Sequence, residues 1–453
     1  MSLPRYPTLT ILAFGGLMLL TDVVPALHNF KVVDWRTLPD VLHFVDRKPS
    51  ASPELDEQQR LRPDTDPARQ AKYPLDDADH NLDHFYAALH KAEGKGNGAQ
   101  ARILHYGDSP TTADLITSDV RTLLQKQFGD AGHGFCLIAK PWAWYTHRGA
   151  DVEGSGWTVD PANQSSIKDG LYGLGGVSFR GGAGSTGRVK LSGPHARMEV
   201  AFLKQPGGGQ LRVFAGDKDL GVIDTDAERA QSGFASFALP AEARVVRVQA
   251  MSGPVRVFGM MFTKDSPGVV YHSLGVNGAY VSVLAKFFNE GHWREQLRHY
   301  QPHLVIVNYG TNESVYPQFV DYASEKELRE IVRRLRAAVP EASILIMSPM
   351  DRGQRMTSGE IGTAPAIPRL VAIQRRVAAD LDCAFFNTFE AMGGIGTMGR
   401  WYAAEPRLVG ADFIHPMPGG AKIVGGLLYQ GLMEGYNKYK LRLIQKRSMV
   451  AGK

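Results

Sequence analysis

The sequence predicts a three-layer α/β fold with a second, all-β domain inserted into it. Short apolar runs at 103–106, 304–307, 344–347 and 384–386 read as strands buried on both faces, the pattern of a parallel sheet. Amphipathic helical patterns alternate with them, which places helices on both faces of that sheet. From about Trp142 to Lys264 this rhythm stops: the chain is dense in glycine, has no long helical pattern and shows period-two segments instead. An inserted β-sandwich is the expectation there.

In chain order, Arg5 precedes an uncharged, mostly apolar run at 9–20 that Asp22 ends, and Val24-Pro25-Ala26 offers an imperfect small-residue cleavage site. Residues 1–28 therefore read as a signal peptide or an uncleaved membrane anchor. That reading places the chain in the periplasm or outside the cell, with association at the inner membrane if the segment is retained. Residues 29–78 read as a linker, since Pro49, Pro53, Pro63, Pro67 and Pro74 stand among charges with few large apolar side chains. The first part of the α/β domain is expected at 79–140. It opens with a helix that carries Leu82, Phe85, Tyr86 and Leu89 on one face and continues, after the 103–106 strand, with Ile116, Val120, Leu123, Leu124 and Phe128 at helical spacing.

The β domain is expected at 141–265, on the alternation of Met198-Val200-Phe202, Leu211-Val213, Val246-Val248-Ala250 and Val255-Val257. The sheet resumes near 269–273, and the second α/β part spans 266–437. Its helices follow Leu328, Ile331, Leu335 and Val339, then Leu370, Ile373, Val377 and Leu381. Residues 438–453 read as a solvated basic tail.

Length and composition narrow the classes. With 453 residues, 43% apolar and 21% charged, the chain is globular and long enough for two or three domains. The formal charge of +5 comes from the end of the chain, where Lys438, Lys440, Arg442, Lys446, Arg447 and Lys453 follow Glu434 without an acid. Without a basic stripe interleaved with aromatics, no nucleic-acid partner is expected. Cys136 and Cys383 belong to no metal-ligand spacing, and either one long-range disulfide or two buried thiols fits them. The two GxGxxG matches, at Gly182 and Gly394, lack the strand-turn-helix setting of a dinucleotide site. No metal and no cofactor are expected.

Candidate chemistry gathers at strand ends. The 103–106 strand runs into Gly107-Asp108-Ser109, just ahead of a helix, at the sheet edge where α/β folds bind ligands. A serine nucleophile needs a base and an orienting group. Asp412 and His415 stand three positions apart, a spacing that lets the carboxylate reach its own histidine's ring. Acyl transfer also needs donors for an oxyanion; Gly278 after the 269–273 strand offers a backbone N–H, and Asn312 after the 304–307 strand offers a side-chain amide.

These four blocks, in this order, resemble the SGNH (GDSL-type) hydrolases. The resemblance covers 103–130 and 269–436. It implies Ser109 as nucleophile, Ser109, Gly278 and Asn312 as oxyanion donors, His415 as general base and Asp412 as its orienting partner. The chain departs from the common Gly-x-Asn-Asp block by carrying Glu313. Gly-Thr-Asn-Glu and the large β insertion together look like the exported peptidoglycan O-acetylesterases and their O-acetyltransferase relatives, in which the insertion resembles a carbohydrate-binding module. The implied function is removal of O-acetyl groups from a cell-envelope or extracellular polysaccharide through an acyl-serine. O-acetyl transfer by the same triad and non-catalytic glycan binding are the alternatives. Trp142 and Trp144 are candidate sugar-stacking residues, with Tyr145 beside them, and Arg352 at the same sheet edge is a candidate substrate contact. The sequence sets no oligomeric state.

Overall fold

The structure is a computed structural model and describes residues 75–96 and 98–451. The expected export segment 1–28 and nearly all of the expected linker lie outside the described residues. Among those described, no helix is long and apolar enough to cross a membrane.

The chain enters with β1 (Leu75–Asp76), α1 (Asp83–Glu93), β2 (Gln100–Gly107), α2 (Ser109–Thr112) and α3 (Leu115–Phe128). Eleven strands follow: β3 (Gly134–Cys136), β4 (Ala150–Ser155), β5 (Thr158–Pro161), β6 (Val177–Gly181), β7 (Thr186–Leu191), β8 (Arg197–Lys204), β9 (Gln210–Ala215), β10 (Lys218–Asp224), β11 (Gln231–Ala238), β12 (Val245–Ala250) and β13 (Val255–Thr263). The α/β rhythm then resumes with β14 (Gly268–Gly275), α4 (Glu290–Tyr300), β15 (Leu304–Asn308), α5 (Glu325–Ala338), β16 (Ser343–Met347), the small hairpin β17 (Gly353–Arg355) and β18 (Ile361–Thr363), α6 (Ala366–Asp380), β19 (Ala384–Phe386) and α7 (Pro418–Ala451).

The central sheet has the order β1-β19-β16-β15-β2-β14 and is parallel except for β1. Alternation along its strands divides the core into two layers. Ile103, Leu304, Ile306, Leu345 and Met347 face the apolar sides of α1, α3 and α7. Leu104, Val305, Val307, Ile344 and Ile346 face those of α4, α5 and α6. Both faces are covered, which is why these strands read as continuous apolar runs.

The insertion forms two antiparallel sheets, β10-β9-β12-β7-β4 and β11-β8-β13-β6-β5, that enclose a common apolar core as a β-sandwich. The three-layer α/β fold with an inserted sandwich is therefore as the sequence predicts. β8 departs from simple alternation, since Ala201 and Leu203 are buried as fully as Val200 and Phe202. Its sheet is covered on the outside as well, by α4: Phe234 of β11 stacks on His299 with ring centroids 3.5 Å apart, and His299 meets Glu199 at 2.9 Å.

Two details differ from expectation, and the cysteines take one of the two arrangements left open. The short strand β3, assigned by its sequence to the first α/β part, pairs with β13 in the sandwich, because its Gly-Phe-Cys is buried throughout and has no polar face to leave outside. The basic tail continues α7, and Lys440 and Arg442 pair with Glu93 and Asp83 of α1, so its first part packs against the domain, whereas Gln445, Lys446, Ser448 and Met449 are exposed as expected. Cys136 and Cys383 are both free and buried.

Candidate active site

Four parallel strands deliver loops to one edge. Ser109 follows β2, Gly278 follows β14, Asn312 follows β15 and Arg352 follows β16. The turn that carries Ser109 is tightly built. A Cβ at Gly107 would lie 2.2 Å from Thr111 Oγ1, and one at Gly275 would lie 2.1 Å from the Thr112 nitrogen. Bare backbone at both positions lets α2 settle onto the ends of β2 and β14.

Asp412 and His415 occupy a loop closed at its base by a bridge between Val409 and Pro416 and by a hydrogen bond from the Gly410 N–H to the His415 carbonyl (2.8 Å). Asp412 Oδ1 accepts from the amides of Ile414 (3.0 Å) and His415 (3.1 Å). Its Oδ2 accepts from His415 Nδ1 at 2.6 Å. Burial alone would push the Asp412 carboxyl up, but these hydrogen bonds and the nearby imidazole outweigh it and hold the group below the usual carboxylate value. With Nδ1–H committed to Asp412, Nε2 is left as an acceptor, and the Ser109 hydroxyl donates to it at 2.8 Å. The structure thus brings Ser109, His415 and Asp412 into one chain of hydrogen bonds across 306 positions of sequence.

Gly278 has φ +68°, in the left-handed region, and a Cβ there would meet nothing closer than Asn163 Nδ2 at 3.8 Å, so its environment is open and only its backbone demands glycine. Among the described residues, neither the Ser109 nor the Gly278 N–H donates to a backbone carbonyl. Asn312 Nδ2 donates to the Ala279 carbonyl at 2.9 Å and more weakly to Asp108 Oδ2 at 3.3 Å. Burial pushes the Asp108 carboxyl up to about 7, although the charge of His415 and a hydrogen bond from Thr311 pull the other way. Glu313 is fully buried behind this loop and is pushed up to about 8, chiefly by desolvation. Its Oε1 accepts from the Val281 N–H at 2.8 Å, which ties the block containing Asn312 to the loop containing Gly278.

Residues 251–423 match the GDSL-like lipase/acylhydrolase family. That segment is similar to the SGNH, GDSL-type hydrolases. The matched segment contains Gly278, Asn312, Asp412 and His415, whereas Ser109 stands before it, separated by the sandwich. Among solved structures, a peptidoglycan O-acetylesterase is similar at 22% identity with a TM-score of 0.67, over 78% of this chain and 96% of that one. A carbohydrate acetylesterase from Sinorhizobium meliloti aligns at 16% identity and a TM-score of 0.27, over 37% of this chain and 78% of its own. No curated protein matches the sequence significantly.

The sandwich reaches the site. Trp144, 53% exposed, donates from Nε1 to Asn277 Oδ1 at 3.0 Å, one residue before Gly278. Asn163 Nδ2 donates to the Asn277 carbonyl at 2.8 Å. Trp142 is half-buried against the apolar core, and the buried Tyr145 accepts from the Leu137 N–H, so of the three aromatics Trp144 alone presents an open ring beside the loop. Arg352 adjoins the other side of the site, since the N–H of its neighbour Gly353 donates to the Phe413 carbonyl at 2.9 Å. Asn163, Asn277, Asp108 and Thr311 were not singled out from the sequence. Asp108, Asn277 and Thr311, which adjoin Ser109, Gly278 and Asn312, carried a local signal, and Asn163 carried none.

Proposed function

We propose that the protein is an exported serine esterase that removes O-acetyl groups from a cell-envelope or extracellular polysaccharide. The observation that carries this reading is the Ser109–His415–Asp412 relay at the carboxyl edge of an SGNH-type sheet. In the proposed mechanism His415 Nε2 takes the hydroxyl proton as Ser109 Oγ attacks the ester carbonyl. The N–H groups of Ser109 and Gly278 and the Asn312 amide receive the oxyanion, and Asp412 holds the imidazole in its tautomer and stabilises the imidazolium. Collapse expels the sugar alkoxide, which His415 reprotonates, and leaves an acetyl-serine. Water activated by His415 then releases acetate.

The shape of the site supports a polymer substrate. The Asp412 and His415 side chains are about half exposed, at 47% and 49%, so the relay lies at an open surface that a long chain can cross. The exposed Trp144 ring beside Gly278 suits stacking on a sugar face. The peptidoglycan O-acetylesterase of similar fold points to the same class, and the expected N-terminal export segment would bring the enzyme to such a polymer.

The deciding experiment is acetate release from O-acetylated peptidoglycan and from p-nitrophenyl acetate by residues 29–453, with Ser109→Ala alongside. Turnover in the wild type and its loss in Ser109→Ala is the expected result. Acetylated product that depends on an added glycan acceptor would place the chain among transferases. Glycan binding without any turnover by folded wild-type protein would refute the esterase reading.

A further inference from the structure

Three arginines surround the loop that carries Asp412 and His415, and none pairs with a carboxylate among the described residues. Arg352 follows β16, and its Nε is buried without an acceptor while the side chain as a whole is only half-buried. Desolvation lowers its pKa. Arg355, at the end of β17, lies over the Phe413 ring at 5.7 Å and donates only to the Gly359 carbonyl. Arg407 lies over the Tyr402 ring at 4.4 Å, and Tyr402 packs edge-on against Phe413 at 4.8 Å. Phe413 stands directly between Asp412 and Ile414, so Arg355 is held on the loop itself, Arg407 is held on it through Tyr402, and Arg352 adjoins it through the Gly353 N–H bond to the Phe413 carbonyl. Other arginines are paired with acids, as Arg121 is with Asp114, or spend their N–H groups on carbonyls and a hydroxyl, as Arg400 does on Ile395, Gly393 and Thr397. Asp351, the acid next to Arg352, turns inward and accepts from the Met398 N–H.

Two exposed cations held over aromatic rings, beside a third whose buried Nε–H lacks an acceptor, are arranged for an anion supplied from outside. Guanidinium groups match carboxylates through paired N–H donors. We propose that Arg352, Arg355 and Arg407 form an anion subsite beside the Ser109 site, and that the acetylated glycan carries carboxylates close to its ester. This rests on the glycan-esterase reading above. The substrate then crosses the site with a fixed direction: a neutral sugar face at Trp144 on the oxyanion side, and carboxylate groups at the arginines on the histidine side.

The test uses soluble O-acetylated peptidoglycan strands, untreated or with their carboxylates amidated through carbodiimide coupling, which leaves any phosphate groups charged. Wild-type kcat/KM should fall about tenfold on amidation, the size of one partly desolvated ion pair. In Arg352→Gln, and more fully in the variant with all three arginines changed to glutamine, the ratio between the two polymers should approach one. Equal kcat/KM on both polymers in the wild type, or a ratio that survives in the triple variant, overturns the proposal. If neither polymer is deacetylated while p-nitrophenyl acetate is turned over, the glycan-esterase reading falls by itself. The strands then serve as competitors of p-nitrophenyl acetate: stronger inhibition by the untreated form, lost in the triple variant, upholds the subsite, and equal inhibition rejects it.

Discussion

Asn312→Ala tests the proposed oxyanion site most sharply, because the structure defines what the substitution removes. The Asn312 amide has two N–H groups. One is held by the Ala279 carbonyl at 2.9 Å, and the other points at Asp108 over a longer 3.3 Å. The second, more weakly held, is the one an oxyanion would take. Loss of one of three donors to the tetrahedral intermediate costs on the order of 100 to 1,000-fold in kcat, about 3–4 kcal/mol. The first bond sets a separate effect, since its loss leaves a carbonyl of the Gly278 loop without its donor and costs about 1 kcal/mol of stability. The two effects are read by different measurements. Steady-state turnover of p-nitrophenyl acetate should show kcat down by at least about 100-fold with KM little changed, the signature of an interaction made only in the transition state. Urea unfolding should show a modest loss with the fold intact. An Asn312→Ala protein that unfolds as expected but keeps more than about a tenth of wild-type kcat would mean that the oxyanion lies elsewhere.

Other outcomes follow from the same geometry. Asp412→Asn keeps the size of the side chain but favours the wrong imidazole tautomer, and kcat should drop about 10,000-fold; a loss under tenfold in stopped-flow assays would show that His415 is oriented by its backbone alone. Trp144→Ala should raise KM for acetylated glycan about five- to tenfold through the lost ring, while Trp144→Phe, which keeps a ring but not the bond to Asn277, should recover most of it; equal effects would assign the role of Trp144 to the Asn277 bond. Glu313, held protonated to about pH 8 in the fold but ionised above about 4.5 when unfolded, loses stability as pH rises through that window. Wild type should therefore fall behind Glu313→Gln by up to about 1.4 kcal/mol per pH unit in urea titrations between pH 5 and 8, and parallel curves would refute a buried neutral acid. Asp114→Asn strands the buried Arg121 guanidinium, now bound at 2.6 and 3.0 Å, and should cost about 3–5 kcal/mol in the same titrations; a loss within 1 kcal/mol would mean that water reaches the pair.

The sheet and its helices were legible because each strand is covered on both faces and each helix on one, so burial writes the pattern into short windows of sequence. The four site blocks were legible for a related reason. Each sets residues that are ordinary in turns at a strand end, as in Gly107-Asp108-Ser109, and only their combined order along the chain is specific, an order that survives even when 306 positions separate Ser109 from His415. Contacts between the insertion and the α/β part were not legible. Nothing in Trp144 or Asn277 marks them as partners, since a single side-chain hydrogen bond between distant loops has no period. β3 was missed because three buried residues cannot alternate. The charge of the last helix suggested a solvated tail because Asp83 and Glu93, which pair with Arg442 and Lys440, lie at the other end of the sequence.

The same cross-contacts bear on how the sandwich acts. Its leading segment is bound to the turn that follows Ser109: Thr146 Oγ1 donates to the Ala113 carbonyl at 2.8 Å, and the Arg148 N–H donates to Asp114 Oδ2 at 2.9 Å. Asp114 has φ +50°, and its carboxylate is held far below the usual range: burial opposes the charge, but Arg121, His147 and Thr117 outweigh it. Trp144 and Asn163 hold the loop before Gly278 in the same way. Both the turn that carries Ser109 and the loop before Gly278 therefore lean on the insertion, and its apolar core is continuous with the layer under α4. A tethered binding module could be removed with loss of affinity alone. Removing 141–265 here would strip Asp114 of a donor, expose the core beneath β13 and free the Gly278 loop, so the deletion measures folding. Single substitutions at Trp144 are the cleaner probe of what the sandwich contributes to a bound glycan, because they alter one exposed ring and one hydrogen bond and leave the shared core in place.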